Sequence, residues 1–128
     1  MTRMIEKNAA NDEVKVIYED IESHFGLVPN LFKLMAHDPQ WLKSNWEREK
    51  RIMLGDGPLD PKTRELIAMA VSVINNCDYC TSAHELMARQ NGASDQDVIH
   101  AREIIELFAS FNAIANAHPD LESDIKPD

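Results

Sequence analysis

From Leu66 to Ile74 the chain reads Leu-Ile-Ala-Met-Ala-Val-Ser-Val-Ile, with Ser72 as the one polar residue. Asp60-Pro61 stands just upstream, a capping residue followed by the residue best suited to a first helical position. Together they predict a helix over about 61–74. A helix that is apolar on most of its surface belongs at the centre of a fold. This run is far too short to cross a bilayer, so other elements must pack around it.

Those elements also read as helices. Val14, Ile17, Tyr18 and Ile21 recur at helical spacing and predict a first helix over about 12–24, ended by Gly26. A short second helix starts near Pro29 and carries Leu31, Phe32, Leu34 and Met35. Asp38-Pro39 opens a third, with Trp41, Leu42, Asn45, Trp46, Ile52 and Met53 along it; 54–58, rich in glycine, breaks it. A fifth runs from about Asp78 to Gln90 and stops at Asn91-Gly92. Ser94 and Asp97 resemble a capping box ahead of a sixth, over about 95–117, with Val98, Ile105, Leu107, Phe108, Phe111 and Ile114. His118-Pro119 ends it, and a loose polar tail is expected to Asp128. Only four glycines occur, no repeat is visible, and β-branched residues never alternate over a strand's length. The expectation is a single all-α domain of about six helices spanning 1–128, its core at about 26–117.

Thirteen basic residues against twenty-two acidic ones leave a net charge of −9. That balance opposes binding to nucleic acid, which needs cations to neutralise phosphate, and to an anionic membrane surface. The densest basic stretch, Arg48-Glu49-Lys50-Arg51, reads as a solvated helix face. The first residues have no apolar core of a signal peptide, so a cytoplasmic protein is expected. In a reducing compartment, two cysteines are more often redox-active or metal-binding than a static staple.

Cys77-Asp78-Tyr79-Cys80 falls at the start of the fifth helix, where free N–H groups and the positive end of the helix dipole favour a thiolate, the reactive form of cysteine. The spacing holds two thiols within disulfide range. A peroxide can oxidise one to a sulfenic acid, which the other resolves. His84 lies four residues after Cys80, on the same face, where it can take a thiol proton. If the fourth and fifth helices form an antiparallel hairpin, residues equidistant from the turn meet. Glu65 and His84 are equidistant from a point beside Asn75-Asn76, each about 14 Å along its helix at about 1.5 Å per residue. A carboxylate there would orient the imidazole. The expected order is Glu65, His84, Cys80, with Cys77 as partner thiol.

At these residues the chain resembles the alkylhydroperoxidase D-like (AhpD-like) branch of the carboxymuconolactone decarboxylase family. The family pattern is a Glu, eleven residues, then C-x-x-C-x-x-x-H, met here by Glu65, Cys77, Cys80 and His84. The flanks are similar too: 59–66 before the pattern, Gly92-Ala93-Ser94-Asp95 after it, Phe111-Asn112-Ala113-Ile114 in the last helix, and 26–32 near the start. The resemblance implies an all-α fold, a trimeric or hexameric homo-oligomer, and hydroperoxide reduction through the cysteine pair with Glu65 and His84 as a proton relay. It places the peroxide-attacking sulfur on Cys80 and the resolving one on Cys77. It implies a dihydrolipoyl protein as electron donor and a peroxiredoxin as partner. One departure is Tyr79, where some relatives carry a His beside the second Cys, so the relay or the substrate can differ. The decarboxylase branch lacks the cysteine pair, which argues against lactone decarboxylation here.

Other readings of the same residues are blander. The two thiols could simply pack in a core, the dithiol could be a non-enzymatic redox sensor or binding module, and two Cys, one His and one carboxylate could hold a structural zinc. With no second Cys pair, no metal is expected. No phosphate loop, nucleophile elbow or dinucleotide motif is present, so no cofactor is expected either. His24, His37, His100 and His118 read as surface or capping residues. Trp41, Trp46, Phe108 and Phe111 read as packing or subunit-interface residues, and the methionines Met35, Met53, Met69 and Met87 as core filler.

Overall fold

Capping chemistry and apolar spacing place six α-helices, and the computed structural model, which describes residues 2–125 and Pro127, contains no strand among them. The chain divides into two compact units, one ending at Gly57 and the other beginning at Pro58.

In the first unit, α1 (Asp12–Phe25) is capped by Asn11, whose side chain accepts from the Val14 N–H at 2.9 Å, and it ends at Gly26 with φ +76°. That left-handed conformation is costly for residues with a Cβ. α2 is short (Asn30–Met35), and Pro29 stands just before it rather than at its first position; its carbonyl accepts from Phe32 and Lys33 N–H groups. α3 (Pro39–Glu49) is capped by Asp38, which accepts from the Gln40 and Trp41 N–H groups. The expectation of one regular helix reaching Met53 needs correction: the chain widens into a π-helical turn over Lys50–Leu54. Gly55 follows it so closely that a Cβ there would lie 2.8 Å from the Arg51 carbonyl oxygen. The wide turn therefore requires glycine at its exit. A 3₁₀ turn at Lys7–Ala9, which the apolar pattern does not signal, precedes α1.

This unit packs around Tyr18, Ile21, Phe32, Leu42 and Trp46. The Trp46 ring meets His24, Phe25 and Phe32 edge-on, and its Nε1 donates to Asp20 Oδ2 at 2.8 Å. Lys50 donates to the same oxygen at 2.6 Å; the Lys50 and Trp46 bonds hold the Asp20 carboxyl below the ordinary carboxylate range. The buried Tyr18 hydroxyl donates to the Ile5 carbonyl at 2.7 Å, satisfying a group that would otherwise be costly to bury.

In the second unit, α4 (Pro61–Ile74) packs against both α5 (Asp78–Gln90) and α6 (Asp95–Ala117). Asp60 caps α4 through the Thr63 N–H. Ser94 and Asp97 form a full capping box on α6, with Asp in the place usually held by Glu. The core is Met69, Ala88, Ala93 and Val98, joined by Leu66, Val73, Ala101 and Ile105. Lys62 to Asp97, and Glu85 to both Arg89 and Arg102, tie the three helices together at their polar margins.

The expectation of a wholly buried α4 is only partly met. Glu65, Met69 and Ser72 are buried, whereas Ile67, Val71 and Ile74 are about half exposed within the chain. Within its own unit α4 is flanked by α5 and α6, and two helices cover only part of a cylinder. Beyond His118 the described residues are exposed, with one turn where the Leu121 N–H donates to the His118 carbonyl. The tail expectation also spans Lys126 and Asp128, which lie outside the described residues.

Leu42 is fully buried in the core cluster that includes Tyr18, Phe32 and Trp46. Leu42→Ala is expected to cost about 2–5 kcal/mol, read as a lower urea midpoint with an unchanged slope.

Candidate active site

Three residues, Asn75 to Cys77, carry the chain from the end of α4 to the start of α5. Asn76 takes a left-handed conformation with φ +56°, which asparagine tolerates better than most residues. The Cys77 N–H then donates back to the Ser72 carbonyl at 2.9 Å. So tight a turn sets the two helices antiparallel and fixes their register.

That register brings Glu65 and His84 together. Glu65 is 4% exposed, a carboxylate in an otherwise apolar helix. His84 Nδ1 donates to Glu65 Oε2 at 2.7 Å. An ionised carboxylate can only accept, so a neutral ring making this bond to one carries its proton on Nδ1 and its lone pair on Nε2. The bond satisfies a group whose burial would otherwise cost several kcal/mol, and it holds the imidazole in one tautomer and orientation.

Both cysteines are free thiols and partly buried. Cys77 is the N-cap of α5: its backbone is extended, and its Sγ accepts the Cys80 N–H at 3.3 Å. One of the unpaired donors of the helix start is thereby aimed at a sulfur. The Cys80 thiol is pushed above its ordinary value, first by its hydrogen bond to Cys77, then by burial and by the charge of Cys77. His84 follows Cys80 by one helical turn, on the face both thiols share.

Of the four residues singled out by sequence, Glu65 lies on α4, Cys80 and His84 lie on α5, and Cys77 caps α5. Glu65 and His84 are in direct contact, and so are the two cysteines. The pattern did not single out Glu85, whose carboxylate accepts from Arg89 at 3.1 Å and from Arg102 of α6 at 2.5 Å. These bonds, Arg102 foremost, hold the Glu85 carboxyl below its usual range and anchor α5 beside His84. The i,i+4 spacing of Glu85 and Arg89 carried part of that signal; the bond to Arg102 needed the tertiary fold. Among the described residues, no three His, Cys, Asp or Glu side chains come together as a ligand set for a metal ion.

Loss of the carboxylate should release the ring. At a pH where the imidazole is neutral, nitrogen NMR is expected to find His84 as the Nδ1–H tautomer, and Glu65→Ala should convert it mainly to the Nε2–H form. The same tautomer in both proteins would show that Glu65 does not set it.

Comparison with known proteins places the fold in a lineage. The crystal structure of the alkylhydroperoxidase AhpD core from Rhodospirillum rubrum superposes with a TM-score of 0.83 at 36% identity, covering 90% of this chain and 91% of that one. The alkyl hydroperoxide reductase AhpD of Mycobacteroides abscessus is 35% identical over 57 residues, 44% of this chain and 33% of its own length. The uncharacterized protein 4 in cox locus of Paracoccus denitrificans is 31% identical over 71 residues, 56% of this chain and 64% of its own. The chain thus spans about one third to two thirds of the length of these two relatives. Residues 39–119 match the model of the carboxymuconolactone decarboxylase family. The chain belongs to the carboxymuconolactone decarboxylase family, as an AhpD-like member.

Proposed function

We propose that the protein reduces hydroperoxides through a dithiol–disulfide cycle at Cys77 and Cys80, with Glu65 and His84 as its proton relay. The observation that carries this reading is the buried Glu65–His84 hydrogen bond, one helical turn from a thiol pair at a helix start. A carboxylate-anchored imidazole beside two thiols is the arrangement of a general base serving a sulfur nucleophile.

The balance of the cycle is simple. One sulfur attacks the outer oxygen of the hydroperoxide, the O–O bond breaks, and the alkoxide leaves as alcohol after taking a proton. The sulfenic acid so formed is attacked by the other sulfur, water leaves, and a disulfide closes. Two electrons have passed from the thiols to the peroxide. A dithiol donor, for which a dihydrolipoyl protein is the best candidate, returns them by thiol–disulfide exchange; a peroxiredoxin is the proposed protein partner. Names of the AhpD relatives support the reaction class.

The reading includes a homo-oligomer, a trimer or hexamer, working in the cytoplasm. Exposed Leu107, Phe108, Phe111 and Ile114 along α6 support assembly, because a row of half-exposed large apolar side chains is costly in water. No helix among the described residues is long and apolar enough to cross a membrane.

Metal-free, fully reduced protein is expected to consume an organic hydroperoxide over many turnovers with dihydrolipoamide as donor. Cys77→Ser and Cys80→Ser should each stop cycling, and His84→Ala should slow it about 10²–10⁴-fold, the usual contribution of a general base. At most one stoichiometric oxidation by the wild type would replace the enzyme with a redox sensor. Light scattering should give a mass that is a multiple of 14.5 kDa, and Phe111→Asp should lower it; a wild-type monomer would remove assembly from the reading.

A further inference from the structure

The 23 residues of α6 outrun the other helices of its unit, since α4 has 14 and α5 has 13. What α6 gives to the core of that unit ends early, with Val98, Ala101 and Ile105. Every residue from Glu106 to Ala117 is exposed within the chain. That second half is about 18 Å long at about 1.5 Å per residue. A helix end standing in water is expected to be polar on all sides. This one carries Ile104, Leu107, Phe108, Phe111 and Ile114 at three- and four-residue steps, each 41–57% exposed. By helix geometry they fall within an arc of about 120°, the width of a packed helix face. The Phe108 and Phe111 rings meet edge-on with centroids 5.8 Å apart and form one aromatic plate in the middle of the row.

Two features identify the occupant. The first is symmetry in the sequence. Ile104 and Ile114 are equally far from Ala109, and so are Leu107 and Phe111. Antiparallel helices oppose residues whose numbers have a constant sum. A second α6 laid across the first about Ala109 therefore sets Ile104 against Ile114 of the other copy and Leu107 against Phe111, with the aromatic plates of both copies at the axis. A two-fold contact requires such self-complementarity, whereas a head-to-tail or three-fold contact places no such demand. The second feature is charge. Residues 107–117 carry no charged side chain, in a chain of net charge −9. Two copies meet here without repulsion, while a basic partner would find no carboxylate to pair with. Five large side chains, each about half exposed, offer roughly 400–500 Å² of apolar surface per copy. That is at least half of the about 800 Å² per partner in a stable interface, and a polar rim supplies the rest.

We propose that this row is a two-fold interface between copies of the chain, in which α6 pairs antiparallel with α6 of a second copy about Ala109. The inference rests on the assembly reading above and narrows it: the oligomer is built from pairs, so a hexamer of paired chains fits and an isolated trimer does not.

The test is cross-linking. Ile104→Cys and Ile114→Cys are combined in a chain that also carries Cys77→Ser and Cys80→Ser, which leaves the two new thiols alone. They lie about 15 Å apart along one helix, so a bismaleimide of shorter reach can join them only between copies. The expected product on a denaturing gel has twice the chain mass, with no higher ladder. Each single cysteine variant in the same background should stay uncoupled, because identical positions of an antiparallel pair are also about 15 Å apart. Coupling of either single variant would show a parallel or three-fold contact and overturn the proposal. A ladder beyond the dimer would show a head-to-tail contact and overturn it as well, as would a lack of coupling in a variant that keeps its oligomer. Light scattering on the wild-type chain separates the two readings. A mass of two, four or six chains agrees with pairing; three chains overturn the two-fold contact and leave assembly standing; one chain removes both. A cysteine variant that dissociates places the interface on this row, and the wild-type mass then decides two-fold against three-fold. No hydroperoxide enters these measurements, so the peroxidase reading stands or falls separately.

Discussion

A carboxylate sealed inside a helix hairpin is unstable unless something donates to it. Glu65 is such a group, and the 2.7 Å bond from His84 Nδ1 is what makes its burial tolerable. The cost runs both ways along the hairpin. Slipping α5 against α4 by one residue would turn His84 off the facing side and strand the carboxylate, so the polar pair penalises every register but one. The apolar contacts of Leu66, Met69 and Val73 drive the helices together without being so selective. Position along the helix and orientation of the imidazole are thus settled by the same bond, on which the proposed thiol chemistry rests.

The turn between α4 and α5 contributes the other constraint. With Asn76 in a left-handed conformation and the Cys77 N–H returned to the Ser72 carbonyl, α5 has to begin at Asp78 with Cys77 as its cap. A cysteine is an unusual choice for a position where Ser, Thr, Asp and Asn are the stronger caps. Its presence there exchanges some helix stability for a sulfur that faces backbone donors. The network of Glu85, Arg89, Arg102 and Asp95 then binds α5 to α6 on its outer side. These pairs are partly open to solvent, so their role is to hold orientation more than to supply stability.

Much of this was legible from residue types alone. Asp38-Pro39, Asp60-Pro61 and Ser94 with Asp97 each mark a helix start that the structure bears out, because capping depends on a few neighbouring residues and little else. The π-helical turn at Lys50–Leu54 was not legible, because apolar spacing does not distinguish a regular last turn from a widened one. Nor was the exposure of Ile67, Val71 and Ile74: composition marks a helix as apolar, but burial depends on how many neighbours reach it. Within its own unit α4 packs against α5 and α6, and Ile67, Val71 and Ile74 stay about half exposed.

The sequence by itself determined the helices, their caps, and the equal spacing of Glu65 and His84 about the Asn75-Asn76 turn, since these follow from local backbone chemistry and from helix geometry. Only the tertiary structure decided that the hairpin closes tightly enough for that spacing to become a hydrogen bond. It also decided which sulfur caps the helix and accepts the Cys80 N–H. The two cysteines are the same residue type three positions apart, and nothing but their place on a folded helix end can make them differ.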